Sequence, residues 1–242
     1  MTGKSTINSA TAPPDRIQRM FNDIAPTYDL LNRIISLGLD RRWRATAIRL
    51  LEEKRGGAIL DIAAGSGDLS FDAFRLEPGT IVATDFAVNM LSVLRQKAAK
   101  RHDPVELHTV ACDALALPFP QERFDATMVA FGIRNFSDRL TALSEMHRVL
   151  KPGGLTLILE LTEPTLAPVQ WMHRLYSRGI LPFIGRIISR HASAYAYLPH
   201  SIAHFPATEE FLGLMRSAGF ISAAAHPLTF GTATIFIGRK KG

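Results

Sequence analysis

Residues 58–69 restrict the fold of this chain more than any other segment. A short apolar run containing Asp61 leads into the small-residue turn 63–67, and helix-forming residues follow from Leu69. A second apolar run ends at Asp85, roughly 20 residues after the turn, the spacing of a βαβ unit. The order predicts a strand, a tight turn, a helix and a parallel strand, with a nucleoside pocket at the carboxyl ends of the strands.

The turn differs from the dinucleotide fingerprint G-x-G-x-x-G. Ala63 occupies the first glycine position and Ser70 stands three residues after Gly67. Asp61 would repel a pyrophosphate, whereas it suits a ligand that carries an ammonium or sulfonium cation. Two alternatives stay open from the residues alone: an NAD(P) site, and a structural strand–turn–helix that binds nothing.

Length and charge narrow the class of protein. A chain of 242 residues, 47% hydrophobic and 21% charged, is typical of one globular α/β domain with or without a small appendage. The net charge of +6 indicates an anionic partner: nucleic acid, an acidic substrate or a membrane surface. The single cysteine, Cys112, excludes an internal disulfide and a cysteine-rich metal cluster, and it fits a reducing cytoplasm. We find no signal-peptide pattern and no apolar run of about 20 residues that would span a bilayer.

The chain alternates predicted strands and helices after an all-helical start. We expect a flexible tail over residues 1–14 and a single domain over 15–242. Helices are predicted over residues 15–24, 26–37, 40–51, 69–76, 87–100, 138–150 and 209–218. Strands are predicted over residues 59–63, 80–84, 105–111, 124–131, 155–161, 220–225 and 232–238. Residues 151–154, Lys-Pro-Gly-Gly, are predicted to end a helix and form a turn.

Several motifs together resemble the quinone-biosynthesis C-methyltransferase family, which methylates demethylmenaquinol and, in many bacteria, a ubiquinone precursor. The most particular are Phe-Gly-Ile-Arg-Asn at residues 131–135 and Tyr-Asp-Leu-Leu-Asn at 28–32. The Arg-Val-Leu-Lys-Pro-Gly-Gly turn at 148–154 is common to many methyltransferases. Further matching stretches are residues 21–29, 60–69, 114–119 and 201–206.

The resemblance implies an α/β fold: a doubly wound, mostly parallel, seven-stranded Rossmann-like methyltransferase sheet that ends in a hairpin-like pair of strands. It also implies a helical lid at the N-terminus, residues 15–51. A basic helical insert, residues 165–208, would precede the last helix and strands.

S-adenosylmethionine is the methyl donor that the resemblance implies, and no metal is expected. Asp85 would accept hydrogen bonds from the ribose hydroxyls, and Asp61 would act by its field or hold the ammonium end. Three residues would let the backbone pass close to the methionine and ribose portions: Gly65, Ser66 and Gly67. Asp113 and the backbone N–H of Ala114 would meet the adenine. Relatives often carry Ser where this chain has Ala130, so one hydroxyl contact is missing here.

Arg134 and Tyr28 are the candidate catalytic residues. Arg134 would stabilise the phenolate that develops on the quinol, although an ion pair with Asp138 is the alternative. Tyr28 would line the same pocket with Asp29, or serve only as a half-buried core aromatic. No general base is assigned. The histidine candidates, each with a packing or surface alternative, are His108, His147, His173, His191, His200 and His204.

The expected partners are a prenylated quinol and an anionic membrane surface. No acidic residue lies between Glu163 and Glu209, and four arginines repeat at helical spacing through this insert: Arg174, Arg178, Arg186 and Arg190. We therefore expect a cytoplasmic protein, peripheral on the inner face of the membrane; a lid with a solvated basic face is the alternative. Nucleic acid is not expected, because the Asn/Asp-Pro-Pro-aromatic turn of base methyltransferases is missing after the fourth strand. A homo-oligomer stays open.

The predicted activity is C-methylation of demethylmenaquinol by S-adenosylmethionine. Methylation of the methoxy-benzoquinol precursor of ubiquinone, or of both quinols, is the alternative within the class. A non-catalytic quinone- or lipid-binding protein is the alternative from another class.

Overall fold

The protein is described by a computed structural model over residues 13–101, 105–164 and 192–242. Seven strands form one sheet in the order β3-β2-β1-β4-β5-β7-β6. Their bounds are β1 Ala58–Ile62, β2 Thr80–Asp85, β3 Leu107–Ala111, β4 Phe124–Ala130, β5 Leu150–Leu161, β6 Ile221–Leu228 and β7 Ala233–Arg239. Strands β1 to β5 pair in parallel, and β7 runs antiparallel to both β5 and β6. The predicted doubly wound, mostly parallel sheet with a closing hairpin-like pair is confirmed.

Eight α-helices lie in the described part of the chain. They are α1 Pro14–Ile24, α2 Tyr28–Ile35, α3 Asp40–Leu50, α4 Asp68–Ala73, α5 Val88–Ala98, α6 Arg139–Val149, α7 Ala192–Ala203 and α8 Thr208–Ser217. The predicted helix over 26–37 is divided, because a 3₁₀ turn at Ala25–Thr27 precedes α2. Pro14 is the first residue of α1.

The segment Lys-Pro-Gly-Gly at 151–154 was predicted wrongly as a turn outside the sheet. It lies inside β5, where the pairing with β4 moves from Phe124–Leu150 to Ala126–Leu155. The register advances two residues on β4 and five on β5, so the extra residues bulge out of the ladder. Gly153, with φ of 72°, allows this bulge.

Strand β1 is buried on both faces and carries the centre of the core. Leu60 and Ile62 pack on one face of the sheet with residues of α6 and α8, and Ile59 packs on the other with residues of α3 and α4. In the sheet, β2 and β3 lie on one side of β1, and β4 and β5 lie on the other, so the strand order reverses at β1. Ligands bind at such a reversal of strand order, at the carboxyl ends of the strands. The fold therefore places the residues after β1, β2 and β4 around one crevice.

The N-terminal helices cover this crevice and are tied to the sheet by polar contacts. Gln18 of α1 donates from Nε2 to the carbonyl oxygen of Phe86, at 2.6 Å. Trp43 of α3 donates from Nε1 to Thr229 Oγ1, between β6 and β7, at 2.8 Å. That residues 15–51 open and close as a lid stays a prediction, as do the domain boundaries. Among the described helices, none is long and apolar enough to cross a membrane.

Candidate functional site

The turn after β1 needs glycine where the chain bends around the crevice. Gly65 and Gly67 have φ of 56° and 88°, in the left-handed region. A Cβ on Gly67 would also lie 2.6 Å from Leu94 Cγ, so the turn packs directly on α5. Ala63 adopts φ of 52°, a conformation that costs free energy in any residue with a side chain and often marks a functional loop. The backbone of the turn is thereby held open toward the crevice.

The Asp85 carboxylate at the end of β2 is fixed by backbone N–H groups. Gly65 N donates to Oδ2 and Ala87 N donates to Oδ1, both at 2.8 Å. Burial raises the pKa of Asp85 to about 6, although the backbone donors partly oppose this rise. A carboxylate has about four acceptor positions, so Asp85 keeps acceptor capacity for a ligand. This geometry suits a pair of neighbouring hydroxyls, as on a ribose.

The larger cavity, of about 800 Å³, joins polar groups to an aromatic wall. Asp85, Asp113 and Ala114 line its polar side, and Asp113 is anchored through a hydrogen bond from Leu115 N to Oδ1 at 2.9 Å. The aromatic lining residues are Phe21, Tyr28, Phe86, Phe131 and Phe136.

A smaller cavity, of about 370 Å³, lies beside it and contains Asp61. The Asp61 side chain has no solvent exposure. Its Oδ2 accepts from Ser70 Oγ at 2.5 Å, while its Oδ1 has no hydrogen-bond partner among the described residues. Burial, with some repulsion from Asp85, raises the pKa of Asp61 to about 7. An unpartnered buried acceptor of this kind is suited to a cationic donor supplied by a ligand.

Together the two cavities fit S-adenosylmethionine. Asp85 would hold the ribose, Asp113 and the N–H of Ala114 would face the adenine, and Asp61 would meet the ammonium group. Tyr28 lines both cavities, and its ring contacts the turn, with Cε1 3.5 Å from the position of a Cβ on Gly65. Ala130 also lines both, so only a methyl group is present where relatives often carry the Ser hydroxyl.

Ser66 and Gly67 also make contacts within the protein, and their predicted roles toward the cofactor stay predictions. Ser66 lines the smaller cavity, but its hydroxyl donates to the Asp29 carboxylate of α2. Lys97 of α5 joins the same cluster, with Nζ 2.9 Å from Asp29 Oδ2 and 2.5 Å from Asp68 Oδ1. Gly67 lines neither cavity and allows the close packing on α5. Asp29 therefore connects α2 to the turn.

Arg134 is not a free cation at the site. It is 6% exposed, and its Nη1 pairs with the fully buried Glu160 Oε1 at 2.6 Å and also donates to the Phe131 carbonyl oxygen. Glu160 accepts from the Arg134 backbone N–H as well. The alternative partner, Asp138, instead caps α6 by accepting from Thr141 N at 3.0 Å. Arg134 lines neither cavity, and its ion pair with Glu160 replaces the expected pair with Asp138. Its catalytic role stays a prediction.

Among the described residues, no candidate histidine lines either cavity. His108 is half-exposed on β3, His147 packs edge-on against Phe220, and His200 stacks on His204 with ring centroids 4.0 Å apart. The packing alternatives are therefore favoured for these four. His173 and His191 lie outside the described residues.

The sequence analysis missed Arg44, Asn32 and Asn135. Arg44 and Asn32 line the smaller cavity, and Asn135 lines the larger one. Asn135 Oδ1 accepts from the Tyr197 hydroxyl of α7 at 2.9 Å. Arg44 belongs to a helix that was interpreted only as a cover, whereas Asn32 stood in the motif at residues 28–32, from which only Tyr28 and Asp29 were assigned to the pocket. Asn135 stood in a motif that was noted, but Arg134 was chosen from it because of its charge.

Comparison with known proteins places the chain among quinone methyltransferases. A model of the ubiE/COQ5 methyltransferase family matches residues 9–240. The Thermus thermophilus protein named demethylmenaquinone methyltransferase is 46% identical over 220 residues, which are 90% of this chain and 99% of that one. The Geobacter sulfurreducens protein named ubiquinone/menaquinone biosynthesis C-methyltransferase UbiE is 43% identical over 239 residues, covering 98% and 93% of the two chains.

Solved structures of low sequence identity share the fold. The [4+2]-cyclase SpnF superposes with a TM-score of 0.69 at 16% identity, over 96% of this chain and 97% of that one. The phosphoethanolamine N-methyltransferase 2 of Haemonchus contortus, solved with S-adenosylmethionine, gives a TM-score of 0.58 at 17% identity, over 81% and 52%.

We expect Asp61→Asn to stabilise the ligand-free protein at pH 8 and to weaken binding of S-adenosylhomocysteine. The pKa of Asp61 is about 7 when folded and 3.8 in the reference state. Its stabilising contribution is therefore present at low pH and is lost as the pH rises through 7, which costs about 2–4 kcal/mol at pH 8. Urea unfolding at pH 5 and pH 8 measures this, and calorimetry measures the affinity.

Asp125→Asn is the matched control for Asp61→Asn. Hydrogen bonds from Lys151 and from the Ala58 N–H hold the pKa of Asp125 below its usual value, so its removal should destabilise the protein at pH 8. A loss of stability in Asp61→Asn at pH 8 would contradict our account of the smaller cavity.

Arg134→Ala should lower the free energy of unfolding by about 3–5 kcal/mol, because it leaves the buried Glu160 charge unpaired. Adding Glu160→Gln removes that charge and should recover part of the loss. Urea denaturation of both variants provides the measurement. Unchanged stability in Arg134→Ala, with reduced turnover, would instead restore Arg134 as a catalytic residue.

Proposed function

Since this chain belongs to the ubiE/COQ5 methyltransferase family, we propose that it transfers the methyl group of S-adenosylmethionine to a ring carbon of demethylmenaquinol. The relatives named demethylmenaquinone methyltransferase, from Thermus thermophilus and Bacteroides fragilis, support the naphthoquinol as substrate at 46% and 41% identity. The observation that carries the proposal is that Tyr28 lines both cavities, so the residues assigned to the cofactor adjoin the aromatic wall of the larger cavity.

The aromatic wall suits a flat, apolar ring. Phe21, Phe86 and Phe136 offer ring faces and edges on which a quinol could stack. Asp85 and Asp113 of the same cavity are assigned to the cofactor, so the quinol ring would lie against the aromatic residues. Such an arrangement positions the two reactants and keeps water from the reacting carbon.

Tyr28 is suited to donate a hydrogen bond and unsuited to remove a proton. Burial raises the pKa of Tyr28 above its ordinary value, so the phenol stays protonated at neutral pH. The S-adenosylmethionine sulfonium, when bound, supplies an electrophilic methyl group. We assign to Tyr28 a hydrogen bond to the quinol oxygen next to the nucleophilic carbon, where negative charge develops as the hydroxyl loses its proton.

Two alternatives make different predictions for the acceptor. A ubiquinone-biosynthesis enzyme would prefer the methoxy-benzoquinol, a use that the name of the Geobacter sulfurreducens relative includes for that protein. A non-catalytic binding protein would take up cofactor and quinol without forming product.

Methyl transfer from labelled S-adenosylmethionine under reducing conditions, with both quinols in competition, tests the proposal. We expect product on the naphthoquinol at a kcat/KM about 10-fold or more above that of the benzoquinol, a difference of ~1.4 kcal/mol. Without reductant the rate should collapse, because the quinone lacks the hydroxyl that activates the ring. Asp85→Ala is the control, since it should weaken S-adenosylhomocysteine binding about 10-fold or more and depress both reactions alike.

Preference for the benzoquinol would assign the enzyme to ubiquinone biosynthesis. Equal rates would indicate that it serves both menaquinone and ubiquinone biosynthesis. Binding of cofactor with no product on either quinol would favour the non-catalytic alternative.

We also propose that the basic insert brings this cytoplasmic protein to the inner membrane surface, where a prenylated quinol resides. Its four arginines, Arg174, Arg178, Arg186 and Arg190, lie outside the described residues, and the support is the lack of acidic residues between Glu163 and Glu209. At about 1 kcal/mol for each cation near an anionic surface, the contact is weak and reversible.

Co-sedimentation with phosphatidylglycerol vesicles tests the membrane contact. We expect binding that falls with added salt, is missing with phosphatidylcholine alone, and weakens about 10-fold or more when the four arginines become Gln. A variant with Arg41 and Arg42, both exposed on α3, changed to Gln is the control. Equal loss in the two variants would show that only net charge matters.

A further inference from the structure

A hydrogen bond between Tyr197 and Asn135 connects α7 to the larger cavity. Asn135 belongs to the 3₁₀ turn Ile133–Asn135 after β4 and lines that cavity. Its Oδ1 accepts from the Tyr197 hydroxyl at 2.9 Å, although the two residues are 62 positions apart in the chain. Tyr197 itself lines neither cavity. A side chain outside the cavity is therefore bonded to the side-chain amide of a residue on its wall.

Helix α7 is held in place by apolar packing. Leu198 and Ile202 are 9% and 6% exposed, and they pack with Ile35 of α2 and Leu161 at the end of β5. This packing does not involve the Tyr197 hydroxyl. Removal of that hydroxyl alone therefore leaves the anchor of the helix intact.

The charged groups around Tyr197 favour one orientation of the Asn135 amide. Arg134 and Arg139 act on Tyr197 as positive charges, and Glu160 acts as a negative charge. Glu160 is paired with Arg134, whereas Arg139 Nε has no hydrogen-bond partner among the described residues. The negative end of an amide dipole is its oxygen, so this positive balance favours Oδ1 on the side of α7.

The Tyr197 hydroxyl is suited to hold that orientation. Burial raises the pKa of Tyr197 above its ordinary value, so the phenol stays protonated and remains a donor at neutral pH. An amide has an oxygen that accepts and a nitrogen that donates two hydrogen bonds. With Oδ1 engaged by Tyr197, the part of the Asn135 amide that is left for a ligand is Nδ2, a donor.

We propose that Tyr197 is a positioning residue for methyl transfer: it holds the Asn135 amide so that Nδ2 is presented to the larger cavity as a donor to a quinol oxygen. This donor adds to the one assigned to Tyr28, where negative charge develops as the quinol hydroxyl loses its proton. An amide that is free to rotate offers its oxygen part of the time, and an oxygen repels that charge. The inference rests on the proposed methylation of a quinol and deepens it.

A purely structural role, in which the bond only joins α7 to the loop after β4, makes a different prediction for Asn135→Asp. An aspartate keeps an oxygen that accepts from Tyr197, so the structural link survives. It has no hydrogen to donate to the cavity when ionised. Turnover in this variant therefore separates a positioned donor from a structural link.

The experiment measures methyl transfer from labelled S-adenosylmethionine to reduced demethylmenaquinol. The proteins are the unmodified chain, Tyr197→Phe, Asn135→Asp and the double variant. Ser201→Ala is the matched control, because it removes a buried hydroxyl of the same helix that donates to the Leu198 carbonyl oxygen. Calorimetry of S-adenosylhomocysteine with each protein reports whether the cofactor site is intact.

We expect kcat to fall about 10-fold in Tyr197→Phe and about 100-fold or more in Asn135→Asp. In Tyr197→Phe the KM for the quinol should change by about 2-fold or less, because the donor acts mainly on charge that develops in the transition state. The double variant should match Asn135→Asp, since no donor is left to orient. The kcat of the control and every affinity for S-adenosylhomocysteine should stay within about 2-fold of the unmodified chain.

Full turnover in Asn135→Asp, an unchanged kcat in Tyr197→Phe, or losses that multiply in the double variant would each overturn the inference. A loss of S-adenosylhomocysteine affinity equal to the loss of kcat would also overturn it and favour the structural link. If Asn135→Asp does not fold, Asn135→Ala takes its place. Its kcat must then fall below that of Tyr197→Phe, because a structural link is lost equally in both.

The unmodified chain separates this inference from the proposed function. If it forms product while any of these contrary results holds, only the role of Tyr197 is overturned. If it forms no product on either quinol, the proposed function fails and this inference fails with it.

Discussion

Two carboxylates buried at the ends of neighbouring parallel strands set the conditions for the rest of the site. Asp61 in β1 and Asp85 at the end of β2 have raised pKa values because both lie away from water. Backbone N–H groups stabilise Asp85, and Ser70 partly stabilises Asp61. The Asp61 carboxylate keeps one oxygen without a hydrogen-bond partner among the described residues, and this oxygen is suited to a cationic ligand. Burial of this carboxylate lowers the stability of the ligand-free protein, a cost that serves binding.

The fold was predictable from the sequence because its signals are local. The strand–turn–helix at residues 58–69 and the alternation that follows require a parallel sheet, and the family resemblance supplies the closing pair of strands. The bulge at residues 151–154 was not predictable, since its cause is the register between β4 and β5. Asp85, Asp113 and Gly65 were brought together as expected, because each follows the carboxyl end of a strand.

Side-chain pairing over long distances in the chain was the part that sequence reasoning could not supply. Arg134 and Glu160 are 26 residues apart and meet only because β4 and β5 are neighbours. A nearby acid, Asp138, was the partner that spacing suggested, yet it serves as a helix cap. Arg44 was missed for a similar reason, since an arginine in a helix that carries several basic residues is usually interpreted as solvated.

The cluster of Ser66, Asp29 and Lys97 has a kinetic consequence. It joins α2 to the turn that carries the cofactor, and its Lys97 and Asp29 side chains are 28% and 35% exposed. Ion pairs that reach solvent to this extent contribute about 1 kcal/mol or less, and salt screens them. Separation of α2 from the turn therefore breaks these weak polar contacts and the packing of Tyr28 and Ile35 in a small cluster with Ala87 and Met90. The two largest hydrophobic clusters contain no residue of α2 and stay intact. Exchange of spent for fresh methyl donor can then be rapid, with a dissociation rate that ionic strength adjusts and that stays independent of global unfolding.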